Sequence, residues 1–185
     1  GNSMGSLKNN MNSNNTLIDW YQVHEVISAA DRIMLSTHEN PDGDGLGAEC
    51  GLYYHLKENG KDVRIINYSP TPDYYSFLNS DQIFECYDQD SHEDWIKDVD
   101  LVIIFDVGNF VRIRTIVDAI KSHGLKTLNI DHHPHPDEHP FTHNVVDLSA
   151  AATGCMVYDY LQIARTDPIP KKSFEGIYTA VMTDT

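Results

Sequence analysis

Short apolar runs alternate with helical patterns along nearly the whole chain, and this alternation limits the folds open to it. The runs are Ile33-Met34-Leu35, Val63-Arg64-Ile65-Ile66, Leu101-Val102-Ile103-Ile104-Phe105, Thr127-Leu128-Asn129-Ile130 and a weaker Val145-Val146. Between them apolar residues recur at i, i+3, i+4 and i+7: Ile113, Ile116, Val117 and Ile120; Val157, Tyr160, Leu161 and Ala164; Phe174, Ile177, Tyr178 and Val181. Further helices are expected near residues 17–30 and 46–58. A strand that is apolar at every position has no solvent face and must be covered on both sides. The expected fold is α/β: a doubly wound, mainly parallel five-stranded sheet with helices on both faces.

The chain is long enough for one domain with a real core: 185 residues, 41% of them hydrophobic. No Pro/Gly-rich linker divides it. Residues 1–15, rich in Asn, Ser and Gly, are read as a tag or disordered leader, and residues 16–185 as the domain. The longest uninterrupted apolar run is Leu101–Phe105, which leaves no membrane span. Cys50, Cys86 and Cys155 are far apart and odd in number, so they are expected to be reduced, buried thiols in a cytoplasmic protein. The formal charge is −15. A chain so acidic cannot grip long duplex nucleic acid through released counterions, so a polyanionic substrate needs local cations, with bound metal ions the obvious source. Residues 81–100 carry eight acidic side chains against one Lys and are expected to form a solvated excursion before the Leu101 strand.

Ligands in an open parallel sheet bind beyond the carboxyl ends of the strands. Three strand ends deliver chemistry there: His38-Glu39-Asn40-Pro41-Asp42-Gly43-Asp44-Gly45, then Asp106, then Asp131-His132-His133. Asp42 and Asp44 stand two apart on a Pro- and Gly-shaped loop, so their carboxylates can point to opposite sides of a shared point and serve two ions. The alternative is an Asx-type turn capping the next helix. Gly45, Gly47 and Gly51 then let that helix approach the sheet closely. Asp106 closes an apolar run at the edge of a dry core, where an unpaired charge is costly and a cation is the natural partner. Mixed imidazole and carboxylate ligands without thiolate rank Mn²⁺ first and Mg²⁺ second. His135, His139 and His143, in a Pro-rich loop, are read as surface residues, and the aromatics form no ladder for stacking bases.

Taken in order, these motifs resemble the DHH phosphoesterase superfamily, named for the triplet that stands here as Asp131-His132-His133. The first motif, through Leu46-Gly47, is similar to that of bacterial oligoribonuclease and 3′-phosphoadenosine 5′-phosphate phosphatases (nanoRNases). Asn144 to Asp147, Ala152-Thr153-Gly154 and Tyr178 to Thr185 also match. The resemblance implies that this is the N-terminal catalytic domain, with His38, Asp42 and Asp106 holding one divalent ion. Asp44, Asp106, His132 and Asp184 would hold the other, Asp106 bridging ions roughly 3.5–4 Å apart. Mn²⁺ is the first expectation, with Mg²⁺ or Co²⁺ as alternatives. A hydroxide between the ions would attack phosphorus, His133 would contact the phosphate or protonate the leaving oxygen, Asp131 would orient an imidazole, and Arg112 would bind substrate.

The implied substrates are short oligoribonucleotides and 3′-phosphoadenosine 5′-phosphate. Cyclic or linear dinucleotides, or inorganic pyrophosphate, remain as alternatives within the chemistry. A metal- or nucleotide-binding module without turnover is the reading from another class. Relatives carry Ser where Ala48 follows Gly47, a change that touches no ligand. They also continue into a C-terminal substrate-binding domain that this chain is expected to lack, and they commonly pair through the catalytic domain, so a homodimer is one implied assembly.

Overall fold

The computed structural model describes residues 18–184, so the expected leader at 1–15 lies outside the described residues. The order is α1 (Trp20–Ser28), β1 (Arg32–Thr37), α2 (Gly43–Glu58), β2 (Asp62–Asn67), a 3₁₀ helix (Asp73–Asn79), β3 (Phe84–Cys86), α3 (Gln89–Ile96) and β4 (Leu101–Phe105). A second 3₁₀ helix (Phe110–Ile113), α4 (Ile116–Ser122), β5 (Thr127–Asp131), β6 (His143–Val146), α5 (Thr153–Ala164) and α6 (Lys171–Asp184) follow. The strands form one sheet in the order β3-β2-β1-β4-β5-β6, every pair parallel.

Alternate residues of the central strands feed two cores. Ile33, Leu35, Ile103, Phe105, Leu128 and Ile130 pack under α1, α2, α5 and α6. Met34, Ile66, Val102 and Ile104 pack under α3 and α4 through Ile96, Ile116 and Ile120. Both faces are covered, which is why Leu101–Phe105 is buried at every position.

The sheet has six strands where five were expected. The addition is β3, which pairs Phe84, Glu85 and Cys86 with Ile65, Ile66 and Asn67. Three residues are too few to show a period, and the surrounding acidity hides them. Residues 81–100 carry a strand and a helix, with most of their acidic side chains in solvent as expected. Asp81 accepts from the Tyr54 hydroxyl (2.8 Å) and pairs with Lys172, Glu85 pairs with Arg64 and His92, and Asp88 caps α3. The Asp100 carboxylate accepts the amides of Asp31 and Arg32 at 3.0 and 2.9 Å. The three cysteines are free, yet only Cys50 is buried; Cys86, at the end of the edge strand, is exposed.

Helix α6 also departs from its expected face. It buries Ser173, Gly176, Ile177 and Ala180, while Phe174 and Tyr178 are more than half exposed. The cause is a close approach to α2. A Cβ at Gly47 would overlap the Gly176 carbonyl oxygen and lie 2.9 Å from the Ala180 nitrogen. Only small residues fit such a seam, so the helix turns its large apolar side chains away. Gly45 does lie against the sheet, at the Thr37 side chain, but Gly47 and Gly51 serve α6 instead.

Glu49 of α2 is fully buried. Its Oε1 accepts from Asn67 Nδ2 at 3.0 Å, and its Oε2 has no hydrogen-bond partner. Burial holds this carboxyl well above its ordinary value of 4.5, against the smaller opposing effect of Asn67. The folded chain keeps a proton that the unfolded chain releases. Glu49 therefore stabilises fully below the unfolded pKa, and its contribution falls as pH rises to the folded pKa, by about 1.4 kcal/mol per pH unit. Glu49→Gln, which cannot ionise, is expected to remove that slope. Urea unfolding from pH 4 to 9 without metal should show the variant gaining on the wild type as pH rises; parallel curves would refute it.

Candidate metal centre

Sheet order reverses direction beside β1: the chain steps outward to β2 and β3, then returns to start β4 on the other side. The crevice at this switch point is where an open α/β sheet binds ligands. The ends of β1, β4 and β5 lie side by side there.

The loop after β1 is pinned at several points. The Glu39 amide donates to the Arg112 carbonyl (2.8 Å), Glu39 pairs with Arg114 (2.5 Å), and the Asn40 amide donates to Ser69 Oγ (2.9 Å). Asp42 is both helix cap and site residue, since its Oδ1 accepts from the amides of Asp44 (3.1 Å) and Gly45 (3.2 Å). Asp44, one residue into α2, is fully buried. Its two oxygens accept the Thr153 (2.9 Å) and Gly154 (3.0 Å) amides at the start of α5. Asp106 follows β4 with φ +55°, a left-handed conformation that a residue with a side chain adopts at a cost of about 1–2 kcal/mol. Its amide still donates to Ile130 (3.1 Å), so the ladder continues one residue beyond the strand and fixes the carboxylate.

Asp106 stands between two groups. Its Oδ2 lies 3.7 Å from His38 Nε2, which is 3.9 Å from Asp42 Oδ1. Its Oδ1 lies 3.4 Å from His132 Nε2, which is also 3.3 Å from Asp44 and 3.2 Å from Asp184. His38 Nδ1 meets the Glu39 carbonyl (2.5 Å) and His132 Nδ1 the Ala150 carbonyl (3.3 Å). A carbonyl only accepts, so each ring carries a proton on Nδ1 and turns Nε2 toward carboxylates; burial works against the His38 cation, but the contacts with Asp106 and Glu39 outweigh it and hold that ring above its ordinary value of 6.5. Asp106 Oδ1 and His132 Nε2 are buried with no hydrogen-bond partner. Carboxylate oxygens and imidazole nitrogens converging on one buried place fit a cation, and these N/O donors suit divalent ions of the Mn²⁺, Mg²⁺ or Co²⁺ kind.

The charges agree. Burial first, then Asp106 and Asp184, push the Asp44 carboxyl up to about 9, despite the opposing α5 amides. Burial and the negative charges of Asp42 and Asp131 raise Asp106 as well, with His38 opposing. A divalent ion would relieve this repulsion and displace the proton.

Asp131 differs. It is fully buried, but both oxygens are satisfied: Oδ1 by the His133 amide (3.2 Å) and ring (2.7 Å), Oδ2 by the Gly108 amide (2.9 Å) and His135 Nε2 (2.8 Å). Burial opposes its ionisation, yet these bonds outweigh burial and hold the carboxyl below the usual range. With Nδ1 engaged, the half-exposed His133 ring has its Nε2 free for a ligand. Arg112, on the second 3₁₀ helix, brings its guanidinium to 3.3 Å from the His38 ring. Asp131→Asn keeps the shape but loses the charge that aligns His133 and His135. Mn²⁺ affinity measured by calorimetry is expected to fall 10- to 100-fold; unchanged affinity would show that Asp131 only fills space.

The structure thus gathers three candidate donor groups, His38, Asp42 and Asp106; Asp44, His132 and Asp184; and Asp106, Asp131, His132 and His133, the last joining the first two through Asp106 and His132, with Arg112 at the rim. His135 was not expected here. It leaves the Pro-rich loop and buries its side chain on Asp131, a contact made by loop curvature that no spacing rule announces. The α5 amides are backbone groups and leave no side-chain signal.

A switch-point crevice with Asp and His donor groups gathered around one carboxylate is an arrangement able to hold divalent ions side by side. Residues 32–182 match the family model described as DHH family, N-terminal domain, and the chain belongs to that family. Among curated proteins, it is 33% identical over 162 residues to the bifunctional oligoribonuclease and PAP phosphatase NrnA of Bacillus subtilis, covering 86% of this chain and 48% of the relative. The Mycoplasma genitalium protein of that name is 28% identical over 160 residues, covering 85% and 48%. The chain spans about half the length of the curated relatives it matches. Among solved structures, an exopolyphosphatase-related protein from Bacteroides fragilis superposes with TM-score 0.82 at 26% identity, over 89% of this chain and 49% of the other. Exonuclease RecJ bound to manganese shares the fold, with TM-score 0.52 at 15% identity over 89% and 42%. No helix among the described residues is long and apolar enough to cross a membrane.

Proposed function

We propose that this domain hydrolyses phosphoesters of short oligoribonucleotides and the 3′-phosphate of 3′-phosphoadenosine 5′-phosphate, with two Mn²⁺ ions, in the cytoplasm. The observation that carries the proposal is the divided carboxylate of Asp106, one oxygen toward His38 and the other toward His132, whose Nε2 also meets Asp44 and Asp184. When bound, the ions would neutralise phosphate charge and activate water. The side chains supply the rest. His133, steadied by Asp131, presents Nε2 to the phosphate or the leaving oxygen, and Arg112 offers a cation at the rim. Relatives named for oligoribonuclease and PAP phosphatase activity, sharing most of this chain, support the substrate class. Their greater length supports a second, C-terminal substrate-gripping domain as the working partner.

Mn²⁺ at about 100 times the Kd of each site is expected to add about 2.7 kcal/mol of stability per ion, raising Tm by roughly 5–10 °C for each ion in a chain of this size, with EDTA reversing the shift. Hydrolysis is tested on this domain and on the full-length gene product with diadenylate, 3′-phosphoadenosine 5′-phosphate, a cyclic dinucleotide and pyrophosphate. The proposal expects the first two to be the best substrates. Pyrophosphate as the best substrate would overturn it, and Mn²⁺ binding without any turnover would make the protein a sensor.

A further inference from the structure

Tyr74, Tyr75 and Phe77 occupy the 3₁₀ helix that follows β2, at the carboxyl edge of the sheet. Tyr74 is 81% exposed and Phe77 56%. Tyr75 links them: its ring lies 5.1 Å from Tyr74, edge to face, and 6.5 Å from Phe77. Tyr75 also lies against the backbone between Asp42 and Asp44. A Cβ at Gly43, the residue between Asp42 and Asp44, would sit 3.0 Å from Tyr75 Cε1. The segment is tied to the same loop a second time, through the Asn40 amide on Ser69 Oγ. Large aromatic rings left in water beside a metal centre are not explained by folding, because burial is what such rings contribute to a core.

We propose that Tyr74 and Phe77 form a stacking platform for a nucleobase of the substrate, next to the phosphate site. This rests on the nucleotide reading above and deepens it. The charge of the chain favours a base over other occupants. With 28 acidic residues against 13 basic ones, the domain repels a phosphate backbone away from the metals, whereas a neutral base is indifferent to that field and every base has a face to stack. The platform lets an acidic domain hold a nucleotide without a basic groove.

Tyr74→Ala and Phe77→Ala test this. Both side chains are exposed, so the variants are expected to fold, checked by thermal melts. KM for diadenylate should rise roughly 5- to 100-fold with kcat little changed. The preference for diadenylate over its abasic analogue should collapse toward unity, and Tyr74→Phe should restore it. A 2-aminopurine dinucleotide titrated in Ca²⁺ should lose fluorescence on the wild type but not on the double variant, a readout independent of turnover. Quenching without hydrolysis would leave the platform standing and sink the enzyme reading. Hydrolysis with unaltered KM and quenching in the variants would do the reverse. A variant that alters only the sedimentation coefficient would assign the patch to a second copy of the chain, overturning the proposal.

Discussion

Asp106→Asn is expected to reduce Mn²⁺-dependent hydrolysis by on the order of 10³-fold or more, while leaving the metal-free domain folded and no less stable. The first half follows from the position of Asp106. Its two oxygens face His38 on one side and His132 on the other, so under the two-ion proposal losing its charge would weaken both ions at once, and groups that act as a unit fail together. The second half follows from its electrostatics. Burial and the charges of Asp42 and Asp131 already disfavour the ionised form, so without metal a neutral amide relieves strain rather than adding it. Asn also tolerates the left-handed backbone found at φ +55°, which Ala does not. Asp106→Ala therefore mixes backbone strain with the loss of a ligand, and comparing the two separates them. The decisive pair of measurements is the turnover rate and the Mn²⁺-induced shift in Tm. An Asn variant that keeps both would remove the bridging assignment and with it the two-ion reading.

What the sequence showed and what it hid have physical causes. The apolar run Leu101–Phe105 declared a doubly covered strand because every residue of it is buried, and the carboxylates and imidazoles stood out because they end such runs. Burial patterns are periodic, and periodicity can be read. The edge strand β3 is only three residues long and pairs on one side, so it carries no period. Helix α6 shows an apolar stripe that does not mark its buried face, because a close seam selects for small residues and overrides hydrophobicity. His135 and the amides of Thr153 and Gly154 serve the site through loop shape and backbone direction. The acidity that excluded a basic grip proved informative in its distribution: part of it lines the candidate metal centre, and part, in residues 81–100, serves caps and ion pairs.

Gly47→Ala carries the same logic into a prediction about the site. Gly47 stands one turn along α2 from Asp44, and its missing side chain is what lets α6 lie close. The Gly176 carbonyl and the Ala180 nitrogen occupy the space a Cβ would need. Those atoms are backbone and cannot swing aside as a flexible side chain would, so the helix must move bodily or the domain must absorb the overlap. The expected loss is about 3 kcal/mol, or roughly 6–12 °C in Tm for a domain of this size. Displacement of α6 also acts at a distance. Ala180 and Asp184 are one turn apart on the same side of α6, so pushing the helix outward at Ala180 draws the Asp184 carboxylate away from His132, 3.2 Å from it in the wild type. The set of His38, Asp42 and Asp106 does not involve α6 and should be spared. Mn²⁺ titration of the variant below its melting temperature is therefore expected to show one site weakened and the other near wild type. Equal weakening of both would mean that the overlap is absorbed through α2 and its capping loop instead of through α6.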